Sequence, residues 1–308
     1  MKRPIRFLPL LLLGLLLHAE EPISPIPLIP DYDHEKASIG KLLFFDPILS
    51  KDRSVACVTC HDLSDGGADH RPVSLGINQQ NGNIQSPTVL NARYNFKQFW
   101  NGRADNLLEQ AGGPIHNPAE LGMTKAQLES RINANPFYKA RFSEVYGRGH
   151  ITYGMILASI VEFEKALTTP NSRFDRYLRG EISLTDEEEA GYKTFKKLGC
   201  ITCHNGINIG GNSFQRMGII VPYRYDERYP DLYDEIDDER YKNVFKVPTL
   251  RNIALTAPYF HDASADSLEN AIKTMSHHNL GFTPSSEQVR LLVAFLKSLT
   301  GERPKILE

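Results

Sequence analysis

Cysteine is scarce in this chain, with four residues among 308. All four fall in two short pairs, Cys57/Cys60 and Cys200/Cys203, so none is left for a disulfide framework. Tryptophan is scarcer, since Trp100 is the only one. There is no excess of positive charge: 35 Lys and Arg face 37 Asp and Glu, a net charge of −2, and nothing argues for a nucleic-acid partner. Long apolar runs are also missing, apart from LPLLLLGLLL at residues 8–17. That run is too short to span a bilayer. It follows Lys2, Arg3 and Arg6 and precedes Leu17-His18-Ala19, so it reads as a secretory signal peptide over residues 1–19, cut near Ala19. The expected mature chain is periplasmic and without a transmembrane segment, and the loss of three cations moves its charge to −5.

What is present is one pattern used twice. VACVTCHD (55–62) and GCITCHN (199–205) each place two residues between cysteines and a histidine directly after. Three chemistries use Cys-x-x-Cys. A redox dithiol needs a thioredoxin-like βαβ setting, and none is visible. Zinc needs four ligands converging on one point, which pairs 143 residues apart reach only if the fold brings them together. Covalent haem uses the two thiols as thioethers and the histidine as axial iron ligand. With this composition a single Cys-x-x-Cys-His arises by accident in about two chains per thousand. Two copies therefore point to two haem c groups, held by Cys57, Cys60 and His61 and by Cys200, Cys203 and His204.

The rest of the pattern is helical. HEKASIGKLLFF (34–45) is amphipathic, and residues 151–168 space their apolar side chains at helical period. Thr124 with Gln127 and Thr185 with Glu188 make capping boxes, the second opening a helix to Lys197. Thr283-Pro284 reads as the cap and first residue of a last helix ending near Leu299. Long loops rich in Gly, Asn and Pro lie at 62–99 and 205–248, a length usually tied to function or a cofactor. The fold class expected is mainly α, with two cytochrome c-like helical domains, 20–168 and 169–308, parted by the turn signal at Thr168-Thr169-Pro170-Asn171. The acidic run 226–239 reads as a solvated loop or, alternatively, a docking surface for a basic partner.

Two haems alone suit a carrier, whereas an enzyme needs an openable iron and an acid–base group beside it. FWNGRA (99–104), EQAGGPIHNPAEL (109–121), TAPYFHD (256–262) and a late methionine occur in that order around the two haem motifs. On these the chain resembles the bacterial dihaem cytochrome c peroxidases across nearly all of its mature length. The resemblance implies a peroxide site at the N-terminal haem and electron entry at the C-terminal one. It implies Glu120 as the acid–base group, Gln110 as its distal partner and Trp100 as the aromatic between the haems. Met275 matches the sixth ligand of the second haem, with His277 and His278 close behind it as alternatives. A calcium ion is implied between the domains, bound by Thr256, Pro258 and Gln85, the last standing where relatives often carry Asn; Asn83 is a further candidate. Arg251 and His261 match supporting haem contacts. A homodimer is implied as well.

One position departs from the pattern. Many relatives place a histidine sixteen residues after the first axial histidine, as a sixth ligand that reduction must release. Here that position is Ile77, which cannot ligate iron. Either the first iron is open at rest, or another residue, His70 being the obvious one, closes it. The function expected is a periplasmic peroxidase reducing hydrogen peroxide to water, with electrons from a monohaem cytochrome c or a cupredoxin. The alternatives are a MauG-like dihaem oxidase acting on a protein or small molecule, and a dihaem electron carrier or sensor.

Overall fold

The computed structural model describes residues 21–308. The proposed signal peptide, up to Ala19, lies outside the described residues. Two helix pairs organise the chain. In the first half the His34–Phe45 helix crosses the Tyr153–Ala166 helix. In the second the Asp186–Lys197 helix crosses the Ser286–Lys297 helix. Each crossing is made at a glycine. A Cβ on Gly40 would fall on the Ser159 carbonyl, and one on Gly191 on the Leu291 carbonyl. Removing the side chain lets the two backbones touch, and Phe163 or Phe295 closes the contact from the far side.

The capping boxes form as the sequence predicts, at Thr124/Gln127 and Thr185/Glu188. The last helix begins two residues later than Thr283-Pro284 suggests. Ser285 caps it, and its hydroxyl and the Gln288 side chain exchange hydrogen bonds with each other's backbone. That reciprocal pair satisfies two free N–H groups where a lone threonine satisfies one. The 205–248 loop carries a short antiparallel pair, Phe214–Arg216 on Val244–Lys246. Among the described residues no helix is long and apolar enough to cross a membrane.

One apolar core lies beneath each helix pair. Leu43, Ile115, Leu128, Phe142 and Ile156 belong to the first, and Phe174, Tyr192, Leu292 and Phe295 to the second. The chain ends cross over. Ile23 is buried in the second core, while Ile306 and Leu307 pack on Phe44, Phe163 and Leu167 of the first half. Where the halves join, Thr169 Oγ1 accepts from Asn91 Nδ2 at 2.7 Å and Asn252 Nδ2 at 2.8 Å.

Those two asparagines reveal a longer duplication than the haem motifs suggest. Asn91 and Asn252 are both left-handed and both precede a 3-10 turn. Further on come matching single bridges, Gln98 to Ala104 and Tyr259 to Ala265. Phe99 and Phe260, inside those bridges, share a positive φ of 67° and 73°. Asn106 and Ser267 then cap equivalent helices, Leu107–His116 and Leu268–Leu280. The segments 85–114 and 246–275 are thus one structural unit used twice, facing each other. The Gln85 N–H donates to the His261 carbonyl at 3.0 Å, and the Lys246 N–H to the Trp100 carbonyl at 2.8 Å.

Candidate dihaem site

One cavity of about 730 Å³ runs through both halves. Cys57, Cys60 and His61 line one end, Cys200, Cys203 and His204 the other, and Trp100 the region between. Cys57–Cys60 is a single helical turn and Cys200–Thr202 a 3-10 turn. In both, the amide of the histidine closes the turn on the first cysteine's carbonyl. The pattern therefore puts two sulfurs and one imidazole on the same wall.

Charge states agree with thioether and imidazole chemistry. Burial pushes the His61 and His204 imidazoles down to about 4, so both are neutral ligands at pH 7. Burial pushes the Cys57 thiol up to about 12 and the Cys200 thiol up to about 11, away from the thiolate a redox dithiol needs. No cluster of three or more His, Cys, Asp or Glu forms among the described residues, so the two pairs do not converge on a zinc-like point. Buried Nδ1 atoms of His61 and His204 have no hydrogen-bond partner within the protein. Two such histidines facing an apolar chamber beside paired cysteines fit two covalently held haems.

Glu120 lines the same cavity as His61. Asn117 Nδ2 donates to its Oε1 at 2.7 Å. Burial raises its carboxyl above the usual carboxylate range, opposed by that hydrogen bond and by the charge of Arg103. Arg103 is held by stacking over the Phe99 ring at 3.4 Å and by Nη1 donation to Asn101 Oδ1 at 3.2 Å. Gln110, one helical turn before Pro114, also lines the chamber. Gln110, Glu120, Asn117 and Arg103 all line this cavity. Sequence reasoning missed the last two, although both lie inside the stretches it quoted.

The duplication assigns a counterpart to the chamber residues that lie within 85–114. Met275 in the second half corresponds to Pro114 in the first, and both line the cavity. One chamber therefore offers a thioether where the other offers a ring with no donor atom. Gln110 corresponds to Ala271, and Trp100 to His261. Trp100 is 9% exposed and donates from Nε1 to the Gln85 carbonyl at 2.8 Å. Its ring meets Phe245 and His261 edge-on at 6.4 and 6.3 Å, and Met275 packs against its cluster. His261 is buried, stacked on Phe245 at 4.1 Å, and lines the cavity.

Arg251 does not reach the cavity. Its guanidinium is spent on Asp175, Ile207 and Ser24, because Asp175 offers a buried carboxylate that must be paired. His70 lies on the surface, with Nδ1 at 3.0 Å from the Ala257 carbonyl and Nε2 at 3.3 Å from Asp65. Ile77 is buried, its N–H donating to the Glu120 carbonyl at 2.9 Å. Thr256, Pro258, Gln85 and Asn83 all line the cavity. The acidic run is partly self-neutralised, by Arg228 on Asp226 and Arg240 on Asp238, and Glu235 turns inward to accept from Asn101.

Paired helical halves of this kind, each presenting a Cys-x-x-Cys-His turn to a shared chamber, define a dihaem c-type cytochrome fold. Residues 34–183 match the di-haem cytochrome c peroxidase family. The chain is 45% identical to the cytochrome c551 peroxidase of Nitrosomonas europaea, over 93% of this chain and 86% of that one. It is 37% identical to the cytochrome c551 peroxidase of Pseudomonas aeruginosa, over 88% and 80%, and 30% identical to the methylamine utilization protein MauG of Methylophilus methylotrophus, over 92% and 87%. A solved MauG-like protein associated with microbial copper homeostasis is similar with a TM-score of 0.80 at 27% identity, over 94% of this chain and 96% of that one. The chain belongs to the di-haem cytochrome c peroxidase family; it is an oxidoreductase of that kind, with two haem c groups as cofactors.

Proposed function

We propose that this protein is a periplasmic peroxidase that reduces hydrogen peroxide to water in the N-terminal chamber. Its electrons come singly from a small donor protein, a monohaem cytochrome c or a cupredoxin. The observation that carries the reading is the asymmetry of an otherwise duplicated scaffold. Pro114 leaves the first chamber without a sixth ligand at the place where Met275 supplies one in the second. Domains 20–168 and 169–308 accordingly take the peroxidatic and electron-entry roles. When bound, haem iron supplies the peroxide-binding centre in one chamber and the electron relay in the other.

The protein's own residues manage protons and order. Asn117 and Arg103 favour the ionised form of Glu120 while burial raises its carboxyl, a balance that suits it to take a proton from peroxide and return it to the departing oxygen. Gln110 orients the same molecule through its side-chain amide. Trp100 packs the wall between the chambers and, through its contact with the Phe245 and Met275 cluster, offers an aromatic route from one to the other. Met275 would offer the second haem a soft thioether, a ligand that would raise its potential and suit it to accept electrons. Thr256, Pro258 and Gln85 hold a calcium ion at the seam by main-chain and amide oxygens, and the enzyme works as a homodimer. Ile77 in the interior and His70 on the surface support a first chamber that is open without reductive activation.

A MauG-like oxidase is the second reading, supported by MauG relatives at 30% identity. Met275 speaks against it, since tryptophylquinone-forming relatives place a tyrosine ligand there. The test is donor-dependent peroxide turnover by the oxidised protein, with Glu120→Gln beside it. Turnover without a lag, falling by about 10²–10⁴-fold in the variant, supports the peroxidase. An equal rate in both refutes it.

A further inference from the structure

The two helix crossings allow the chambers to be compared wall by wall. Phe163 and Phe295 hold the same place against Gly40 and Gly191. The next residue is Glu164 in the first half and Leu296 in the second, and both line the cavity. A leucine is what an apolar wall requires. The carboxyl is anomalous: Glu164 is 6% exposed, and its Oε2 has no hydrogen-bond partner.

Nor does any charge around it compensate. On the His34–Phe45 helix Lys36 is tied to Asp33 and Lys41 to the Ile306 carbonyl, while His34 and Glu35 face solvent; just beyond it, Asp46 accepts from Tyr138. Arg93 binds the Lys165 carbonyl. On the Leu107–His116 helix Glu109 accepts from the Asp105 amide, and His116 contacts the Met123 carbonyl. On the Lys125–Ala134 helix Lys125 lies over Tyr153, Glu129 accepts from the Tyr153 amide, and Arg131 donates to the carbonyls of residues 48, 50 and 51. Lys305, on the C-terminal turn, is exposed. The Cys57 thiol feels the charge of Glu164, and haem attachment removes its proton. Burial alone pushes the Glu164 carboxyl up to about 8, close enough to neutral pH for a change of one charge in the chamber to move it between acid and carboxylate.

We infer that Glu164 is a redox-linked proton site of the N-terminal haem chamber, absent from the C-terminal one. When one electron enters the chamber, the Glu164 carboxylate takes one proton from solvent and becomes a neutral acid. When the electron leaves, the carboxyl releases that proton. The net charge inside the apolar wall is then the same before and after, which avoids placing an uncompensated charge in a low-dielectric interior. The electron is the one the peroxidase cycle already supplies. The inference rests on haem occupying this chamber and is independent of the role of Glu120.

The test is the midpoint potential of each haem in the intact dihaem protein, titrated spectroelectrochemically across neutral pH. In the unaltered protein the N-terminal potential falls as pH rises, with a slope approaching one proton per electron. In Glu164→Leu, which copies Leu296, and in the isosteric Glu164→Gln, that slope disappears while the C-terminal haem keeps its own. A carboxylic C=O band in the reduced-minus-oxidised infrared difference spectrum, lost in Glu164→Gln, is the second readout. A pH-independent N-terminal potential in the unaltered protein overturns the inference, as does a slope or carboxylic band that survives the substitutions. Should Glu164→Leu fail to fold, Glu164→Gln carries both measurements.

Discussion

Removing both members of the Arg251–Asp175 pair should cost less than the two single removals added together. The side chains are 1% and 0% exposed, the least of any ion pair among the described residues. Arg251 Nη1 donates to both Asp175 oxygens, at 2.9 and 3.1 Å. Its Nε and Nη2 satisfy the carbonyls of Ile207 and Ser24 at 2.6 and 2.9 Å, and Asp175 Oδ1 also accepts from the Ile26 amide. Asp175→Asn keeps the shape but strands a guanidinium charge, at a cost of about 3–5 kcal/mol. Arg251→Met strands the carboxylate at a similar cost, with about 1–3 kcal/mol for each carbonyl left without a donor. The double variant carries no stranded charge. Its loss should fall short of the sum of the singles by roughly 2–3 kcal/mol. Urea midpoints of the holoprotein, followed by far-ultraviolet circular dichroism and by the haem band, measure all three, provided the m-value is unchanged. A single variant costing less than about 1 kcal/mol, or strict additivity, would refute the reasoning.

Other outcomes follow from the same geometry. Pro114→Met, which copies the second chamber, should turn the N-terminal haem low-spin and suppress peroxide turnover while the C-terminal spectrum stays unchanged; a high-spin, active variant would remove the argument from asymmetry. Asn117→Ala deletes a hydrogen bond that favours ionised Glu120, so the carboxyl rises further and the base form appears only at higher pH. The acid limb of kcat/KM should move upward by on the order of one pH unit, and a downward shift would contradict the sign. Gly40→Ala and Gly191→Ala push a methyl into a facing backbone carbonyl, and each should lower stability by about 3 kcal/mol in a denaturant titration.

Legibility varied with the range of the signal. Haem attachment is local, spelled in five consecutive residues, and so were the caps at Thr124 and Thr185. Ser285 was missed because two adjacent cap signals competed and only the reciprocal bond with Gln288 decides between them. The duplication was hidden because its shared residues are scattered, Pro87-Thr88 with Pro248-Thr249 and Ala104-Asp105 with Ala265-Asp266 among them, while the backbone repeats throughout: left-handed Asn91 and Asn252, bridged turns and a capped helix. Arg251 was misread because a motif fixes a residue's neighbours along the chain, whereas a buried cation goes to whichever carboxylate the fold offers, here Asp175. Glu164 is one polar residue in a stretch of helical apolar period, and only the packed structure shows that it lines the cavity.

The crossing of the chain ends bears on how the protein is made. Ser24 and Ile26 are held by Arg251 and Asp175, residues that emerge from the ribosome long after them. The segment that holds Ser24 and Ile26 must therefore wait, unattached, through most of synthesis. The Lys41 ammonium waits longer still, since its partner is the carbonyl of Ile306, near the final residue. Each half is buckled by a strap from the opposite end of the chain. A chain halted at the junction near Thr169 would leave the first half without its Ile306 clasp and Ile23 without a core to enter, which makes late truncations substrates for proteolysis rather than sources of a working half-enzyme.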